Sequence, residues 1–225
     1  MRNKREDIGP SVLTRWIATL FGSPWFEIMI EAWKLGHKII RGLTDEGMYE
    51  VKEYESTLEL QDKTGKKAVL RKRKKVRYLQ NNIIAYQDYG WGDGDYFLDY
   101  RARPGIPVDR YKLGYKTYIL LSLREVKNRG DIDEFHIQWK IKNGFLKADG
   151  FWETDVSSQT KYMKLNVIFP KDRPPQKLKL VENNIRRTRT LDDDAKQSLP
   201  DGRWKVTWET SSPHLYEHYI LKWDW

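Results

Sequence analysis

The chain has 225 residues, of which 13% are aromatic, and it carries a formal net charge of +9. It contains no cysteine, which excludes disulfides, thiolate metal ligands and cysteine nucleophiles. The length suits one large β domain, or a domain with a small appendage. The basic surplus favours an anionic partner such as nucleic acid, a nucleotide or an acidic membrane surface.

The first 43 residues are predicted to precede the β domain. Residues 1–10 form a basic arm, and residues 11–43 a helical hairpin with helices at about 11–21 and 24–41. Ser23 and Pro24 are suited to the N-cap and first position of the second helix. No stretch matches a signal peptide or a spanning helix, so we predict a soluble, cytoplasmic protein without a transmembrane segment.

The predicted helices carry five large aromatic side chains. They either pack on the sheet and close the core, or bind a protein partner or a membrane surface. The candidate partner-binding residues are Trp16, Phe21, Trp25, Phe26 and Trp33.

A single antiparallel β domain is predicted for residues 44–225. Apolar and polar residues alternate along this part of the chain, for example over 135–141, 163–169 and 218–225. This period of two is typical of strands with one buried face. We expect mainly β structure of about nine strands, mostly linked by hairpins, in an antiparallel β-sandwich or an up-and-down barrel.

Local sequence patterns predict the turns, loops and irregularities between and within the strands. A phase slip at residues 52–54 predicts a β-bulge, and residues 62–65 a hairpin turn. The pair Asn143 and Gly144 predicts a two-residue hairpin. Residues 104–114 and 183–202 are expected to be loops.

The densest chemical signal is a basic strand. Eight of the twelve residues from 66 to 77 are Lys or Arg, and alternate bases along a strand lie about 6.5–7 Å apart, close to the spacing of phosphates. We predict nucleic acid or nucleotide binding, with Tyr78, Tyr86, Tyr89 and Trp91 available for stacking on bases. The candidate ligand-binding residues are Arg71, Arg73, Lys75 and Arg77 on one strand face, with Arg186, Arg187 and Arg189 as a second cluster.

A structural interpretation of the same strand stays open. The bases could line an edge strand and protect it from aggregation. Acidic residues of the preceding strand would then face them across the hairpin; they are Glu50, Glu53, Glu55 and Glu59. Lys72 and Lys74 share the opposite face with Ala68, Leu70, Val76 and Tyr78.

Other motifs predict no catalytic chemistry. Residues 214–218 match the string H-x-x-E-H, but in a strand Glu217 points away from the two histidines, so no metal or cofactor is expected. The glycine-rich residues 90–95 predict a turn, and 192–194 a solvated loop. We therefore predict a non-enzymatic binding module. The alternatives are a protein-interaction or membrane-surface accessory subunit acting through the aromatic helices, and an enzyme with a site assembled from distant loops around His136.

Overall fold

The computed structural model describes residues 47–225. The predicted basic arm, both predicted helices and the five candidate partner-binding aromatics lie outside the described residues. Within residues 47–225, no helix has the length and hydropathy needed to cross a membrane.

The described chain consists almost entirely of strands. A single 3-10 helix, Asp193–Ala195, interrupts them. The fourteen strands in chain order are β1 Tyr49–Leu60, β2 Lys67–Tyr78, β3 Ile83–Gly90, β4 Asp95–Arg103, β5 Ile106–Leu113, β6 Lys116–Lys127, β7 Ile132–Lys142, β8 Asp149–Asp155, β9 Met163–Phe169, β10 Gln176–Glu182, β11 Arg187–Thr190, β12 Lys196–Ser198, β13 Trp204–Thr210 and β14 His218–Asp224.

The strands form three sheets. A seven-stranded sheet has the order β12-β13-β9-β1-β2-β7-β4, a four-stranded sheet the order β11-β10-β14-β8, and a three-stranded sheet the order β3-β6-β5. The prediction of a mainly β domain is confirmed. The barrel alternative is wrong for residues 47–225, because each sheet ends in two edge strands.

The predicted strand number was too low, because segments that look like loops contain short strands. β5 lies in the predicted loop 104–114, and β11 and β12 lie in the polar stretch 183–202. Exposed strands have no buried face and therefore no alternation to reveal them; every residue of β11, for example, is exposed.

Two connections also differ from the prediction. β1 pairs in parallel with β9, so the domain is not purely antiparallel. The turn at Asn143 and Gly144 does not join a hairpin, because β8 pairs with β14 in another sheet. The predicted bulge is confirmed by a register shift between Val51 and Glu53. In a regular strand Val51 and Tyr54, three positions apart, would point to opposite faces. The bulge allows both side chains to be buried.

One hydrophobic core cluster includes residues from all three sheets. In β14, Tyr219, Leu221 and Trp223 are each 1% exposed, as the alternation predicts. Trp223 packs against the backbone of Gly150, where an added Cβ would lie 2.6 Å from the indole. Only glycine fits there, because that distance is well inside van der Waals contact.

β2 is an interior strand with two chemically different faces. It pairs with β1 on one side and β7 on the other, so the edge-strand interpretation is wrong. The inner face buries Ala68, Leu70, Val76 and Tyr78 in the core. The outer face carries Arg71, Arg73, Lys75 and Arg77, which are partly or largely exposed.

Candidate anion-binding groove

The carboxylates of neighbouring strands hold most of the outer bases of β2. Arg73 lies 2.7 Å from Glu53 and 3.3 Å from Glu134, and its Nε lies 3.7 Å from Glu55. The hydrogen bond to Glu53, together with the nearby negative charges, raises the pKa of Arg73. Glutamates of the protein itself therefore already neutralise this guanidinium group.

Lys75 and Arg77, at the end of β2, are paired as well. Lys75 Nζ lies 3.9 Å from Glu53, and Arg77 Nε lies 2.7 Å from Glu50. Glu50 is also bound by Lys52. The hydrogen bond from Lys52 and the charge of Arg77 hold the pKa of Glu50 below its usual value. The acidic partner strand of the structural interpretation is thus observed.

Arg71 is the most exposed of the four bases, with 46% of its side chain accessible. Its Nη1 lies 2.6 Å from Glu59, and its Nε donates to Gln138 Oε1 at 3.2 Å. The Glu59 carboxylate also binds Arg203 at 2.8 Å. Arg203 also pairs with Asp201 at 2.7 Å, so the charges of this group balance, and Arg71 can offer a ligand only the exposed part of its guanidinium group.

Two further arginines complete a groove across β2, β7 and β4. Arg101 lies opposite Gln138 and Arg103 opposite His136. Arg71 and Arg73 occupy the corresponding places on the other side of β7. The groove has a volume of about 470 Å³, and its polar lining comprises Glu55, Thr57, Arg71, Lys72, Arg73, Arg101, Arg103, His136 and Gln138.

Arg101 and Arg103 differ from the paired bases. Both are exposed on the edge strand β4, and neither forms an ion pair or hydrogen bond with another side chain in residues 47–225. Their planar guanidinium groups present several donors in a fork that matches phosphate and carboxylate oxygens. Neighbouring strands lie about 4.8 Å apart, so the backbones of Arg71 and Arg101 are separated by roughly 10 Å across β7.

The second predicted cluster belongs to another sheet. Arg187 and Arg189 lie on the edge strand β11, where they bind Glu182 at 2.5 and 3.3 Å. The hydrogen bond from Arg187 lowers the pKa of Glu182. Arg186 lies in the preceding turn with a positive φ of 52°. None of the three lines the groove.

Arg101 and Arg103 were not predicted as binding residues, because in the sequence they are isolated bases in a strand of mixed polarity. Only the pairing of β4 with β7 brings them beside Arg71. The prediction that Tyr78 and Tyr86 stack on bases is wrong, since these side chains are 0% and 2% exposed in the core. Tyr89 and Trp91 lie on the other side of the sheet, around a separate cavity.

The H-x-x-E-H string has a structural role. The Glu217 carboxylate is 1% exposed and accepts hydrogen bonds from the backbone N–H groups of Asn184, Ile185 and His218. It therefore closes a turn. No group of three or more His, Cys, Asp or Glu side chains within residues 47–225 is placed to hold a metal ion.

Comparison with known proteins assigns no family. No family model and no curated protein matches the chain. A nutrient-binding protein, described as putative, from Legionella pneumophila has a TM-score of 0.49 at 8% identity, covering 77% of this chain and 67% of its own. An M1 zinc metallopeptidase from Deinococcus radiodurans has a TM-score of 0.45 at 7% identity, covering 77% of this chain and 42% of its own.

A protease, also described as putative, from Parabacteroides distasonis has a TM-score of 0.47 at 11% identity, covering 79% of this chain and 40% of its own. The chain thus spans less than half of either protease structure. All three TM-scores are below 0.5, so these similarities carry no functional argument.

Proposed function

We propose that the protein is a binding module for a compact anionic ligand, a nucleotide or a short stretch of nucleic acid, held in the groove across β2, β7 and β4. The observation that carries the proposal is the pair Arg101 and Arg103, two exposed guanidinium groups with no carboxylate within ion-pair distance in residues 47–225. They stand beside Arg71, whose one carboxylate is shared with Arg203.

The groove residues would have distinct roles. Arg101 and Arg103 donate to phosphate oxygens from one side, and Arg71 donates from the other. Gln138 and His136 lie between them and supply polar contacts. Each charge-assisted hydrogen bond would be stronger than its neutral counterpart, and each phosphate neutralised would release counterions.

Direct titration tests the proposal. ATP, pyrophosphate, and labelled single- and double-stranded DNA and RNA are titrated at low salt against the full chain and the variant Arg101→Gln/Arg103→Gln. We expect wild type to bind at least one of these probes, and the variant to bind at least about tenfold more weakly.

A matched control removes the same charge elsewhere. Arg124 and Arg129 are also exposed arginines, and neither lines the groove. Arg124→Gln/Arg129→Gln should therefore bind nearly as wild type does. If wild type binds none of the anions, or if both double variants lose affinity equally, the groove is not the site. The predicted aromatic helices would then become the place to look for a partner.

A further inference from the structure

A small cavity lies behind β2, on the strand face opposite the groove. Its volume is about 50 Å³, which is room for a few water molecules or one small polar group. Strands of all three sheets contribute to its wall. The lining residues that matter here are Tyr54, Lys72, Lys74, Trp139, Trp152 and Ser158.

The first lysine of the cavity is fully engaged. Lys72 Nζ lies 3.0 Å from Asp88 Oδ1, donates to the carbonyl of Tyr89 at 2.8 Å, and lies 4.7 Å from the Trp139 ring centre. Asp88 also accepts a hydrogen bond from Tyr100 at 3.1 Å. The charges of Lys72 and Asp88 therefore neutralise each other, and this ion pair does not attract a charged ligand.

The other carboxylates of the wall also have partners of their own. Asp155 is bound by Lys116 at 2.6 Å and accepts a hydrogen bond from Tyr89 at 2.9 Å. Glu153 lies 2.6 Å from His218 Nδ1. Neither carboxylate lies within ion-pair distance of Lys74.

Lys74 is the next inward-facing residue of β2 after Lys72. Its ammonium lies 5.6 Å from the Tyr54 ring centre and 5.7 Å from that of Tyr86. Within residues 47–225, it has no carboxylate partner and donates no hydrogen bond. A half-buried ammonium supported only by ring faces is incompletely compensated.

Two other donors of the cavity are without partners in residues 47–225. They are the indole Nε1 of Trp152 and the hydroxyl Oγ of Ser158, and both atoms are buried. Ser158 as a whole is only 7% exposed. Buried polar groups are nearly always hydrogen-bonded, so two unpaired groups beside an unpaired ammonium indicate a place for acceptor atoms.

We propose that this cavity binds the carboxylate of a small organic acid, with Lys74, Trp152 and Ser158 as its donors. Of the two lysines in the wall, only Lys74 has no carboxylate within ion-pair distance in residues 47–225. One ammonium group matches a monoanion, and two carboxylate oxygens match several donors. The aromatic walls formed by Tyr54, Trp139 and Trp152 suit a short apolar remainder. The cavity is too small for a nucleotide and is therefore a second site, independent of the groove.

Indole N–H resonances provide a direct test. The full chain, labelled with ¹⁵N at tryptophan, is titrated with acetate and propionate at constant ionic strength, and with chloride and phosphate in parallel. The Trp152 resonance is assigned from Trp152→Phe. We expect acetate or propionate to move this resonance saturably, because the N–H gains an acceptor, whereas chloride and phosphate leave it in place.

Neighbouring residues on opposite faces of β2 supply matched variants. Lys74→Met should weaken carboxylate binding about 10- to 100-fold, the range for removal of a charge-assisted hydrogen bond. Lys75→Met, whose side chain is on the outer face, should bind as wild type. Ser158→Ala makes a smaller change to the same site and should weaken binding several-fold, which keeps the test decisive if Lys74→Met does not fold.

Three results would overturn the proposal. They are no saturable shift of Trp152 with either carboxylate, equal binding by wild type and Lys74→Met, and the same shift with chloride as with acetate. Arg101→Gln/Arg103→Gln should retain carboxylate binding in full, so failure of the groove proposal and failure of the cavity proposal remain distinguishable.

Discussion

On the outer face of β2, Arg73, Lys75 and Arg77 are each held by glutamates of β1 or β7. On the inner face, Lys72 is closed by one buried aspartate, and Lys74 has no acidic partner in residues 47–225. The densest run of bases in the chain is therefore largely paired with carboxylates of the same domain. Around β2, the bases that have no carboxylate within ion-pair distance in residues 47–225 include Arg101 and Arg103 on the outer side and Lys74 on the inner side.

The largest expected effect is on stability, at Lys72. Lys72→Met would leave Asp88, whose side chain is 4% exposed, as an uncompensated buried charge, and should lower the unfolding free energy by about 3–5 kcal/mol. Lys74→Met removes a charge without leaving one behind, so it should be close to neutral. Urea unfolding measures both variants, and an equal loss in the two would contradict the difference between the lysines.

A double variant isolates the cause. Combining Lys72→Met with Asp88→Asn removes both charges and should recover part of the loss, because no buried ion remains. A double variant as unstable as Lys72→Met would mean that packing of the lysine stem, and not the charge, is responsible.

A smaller effect is expected for the outer face. Arg73→Met removes the partner of three carboxylates whose side chains are 33–39% exposed. Water and salt screen these groups, so the cost should be about 1 kcal/mol or less, and it should shrink as salt is added. A loss as large as that for Lys72→Met, with no response to salt, would show that the outer pairs behave as buried ones.

The ion pairs of the outer face also predict a pH dependence. The folded state lowers the pKa of Glu50, first through the Lys52 hydrogen bond and then through the charges of Lys52 and Arg77. A lowered folded pKa adds stability above the ordinary value of 4.5, and this stability is lost as pH falls through the folded pKa. Unfolding curves between about pH 5 and pH 3 should therefore change less for Glu50→Gln than for wild type. Identical curves would exclude this contribution.

The smallest expected effect is a gain in affinity. Glu55 lines the groove and repels an anionic ligand, so Glu55→Gln should strengthen binding of ATP or DNA by about twofold at low salt, as for a screened charge several ångströms away. The increase should vanish at high salt. Weaker binding by this variant would place Glu55 among the groups that hold the ligand.

Much of the fold could be predicted from the sequence, because alternation reports a buried face directly. The terminal strand, the bulge near Lys52 and the turn after β1 all follow from local pattern. Strands such as β5 and β11 have no buried face to impose alternation. The parallel pairing of β1 with β9 depends on contacts more than 100 residues apart, which no local signal encodes.

The candidate sites were only partly predictable for the same reason. Arg71 and the basic strand were visible as a run of charge. Arg101 and Arg103 become neighbours of Arg71 only through the pairing of β4 with β7. Lys72 and Lys74 were visible as two lysines on an otherwise apolar face, but which of them has an acidic partner depends on where Asp88 and Asp155 lie in the folded chain.

The most direct test of the central claim compares two double variants by salt titration. Binding of a labelled single-stranded oligonucleotide is measured against salt for wild type, Arg101→Gln/Arg103→Gln and Lys75→Gln/Arg77→Gln. For single strands the slope of log K against log salt is about −0.7 per neutralised phosphate. We expect a slope shallower by about 0.7 for each phosphate that the first variant no longer neutralises. We expect an unchanged slope for the second variant, whose bases are already paired with glutamates. A shallower slope for Lys75→Gln/Arg77→Gln, with Arg101→Gln/Arg103→Gln unchanged, would contradict binding in the groove.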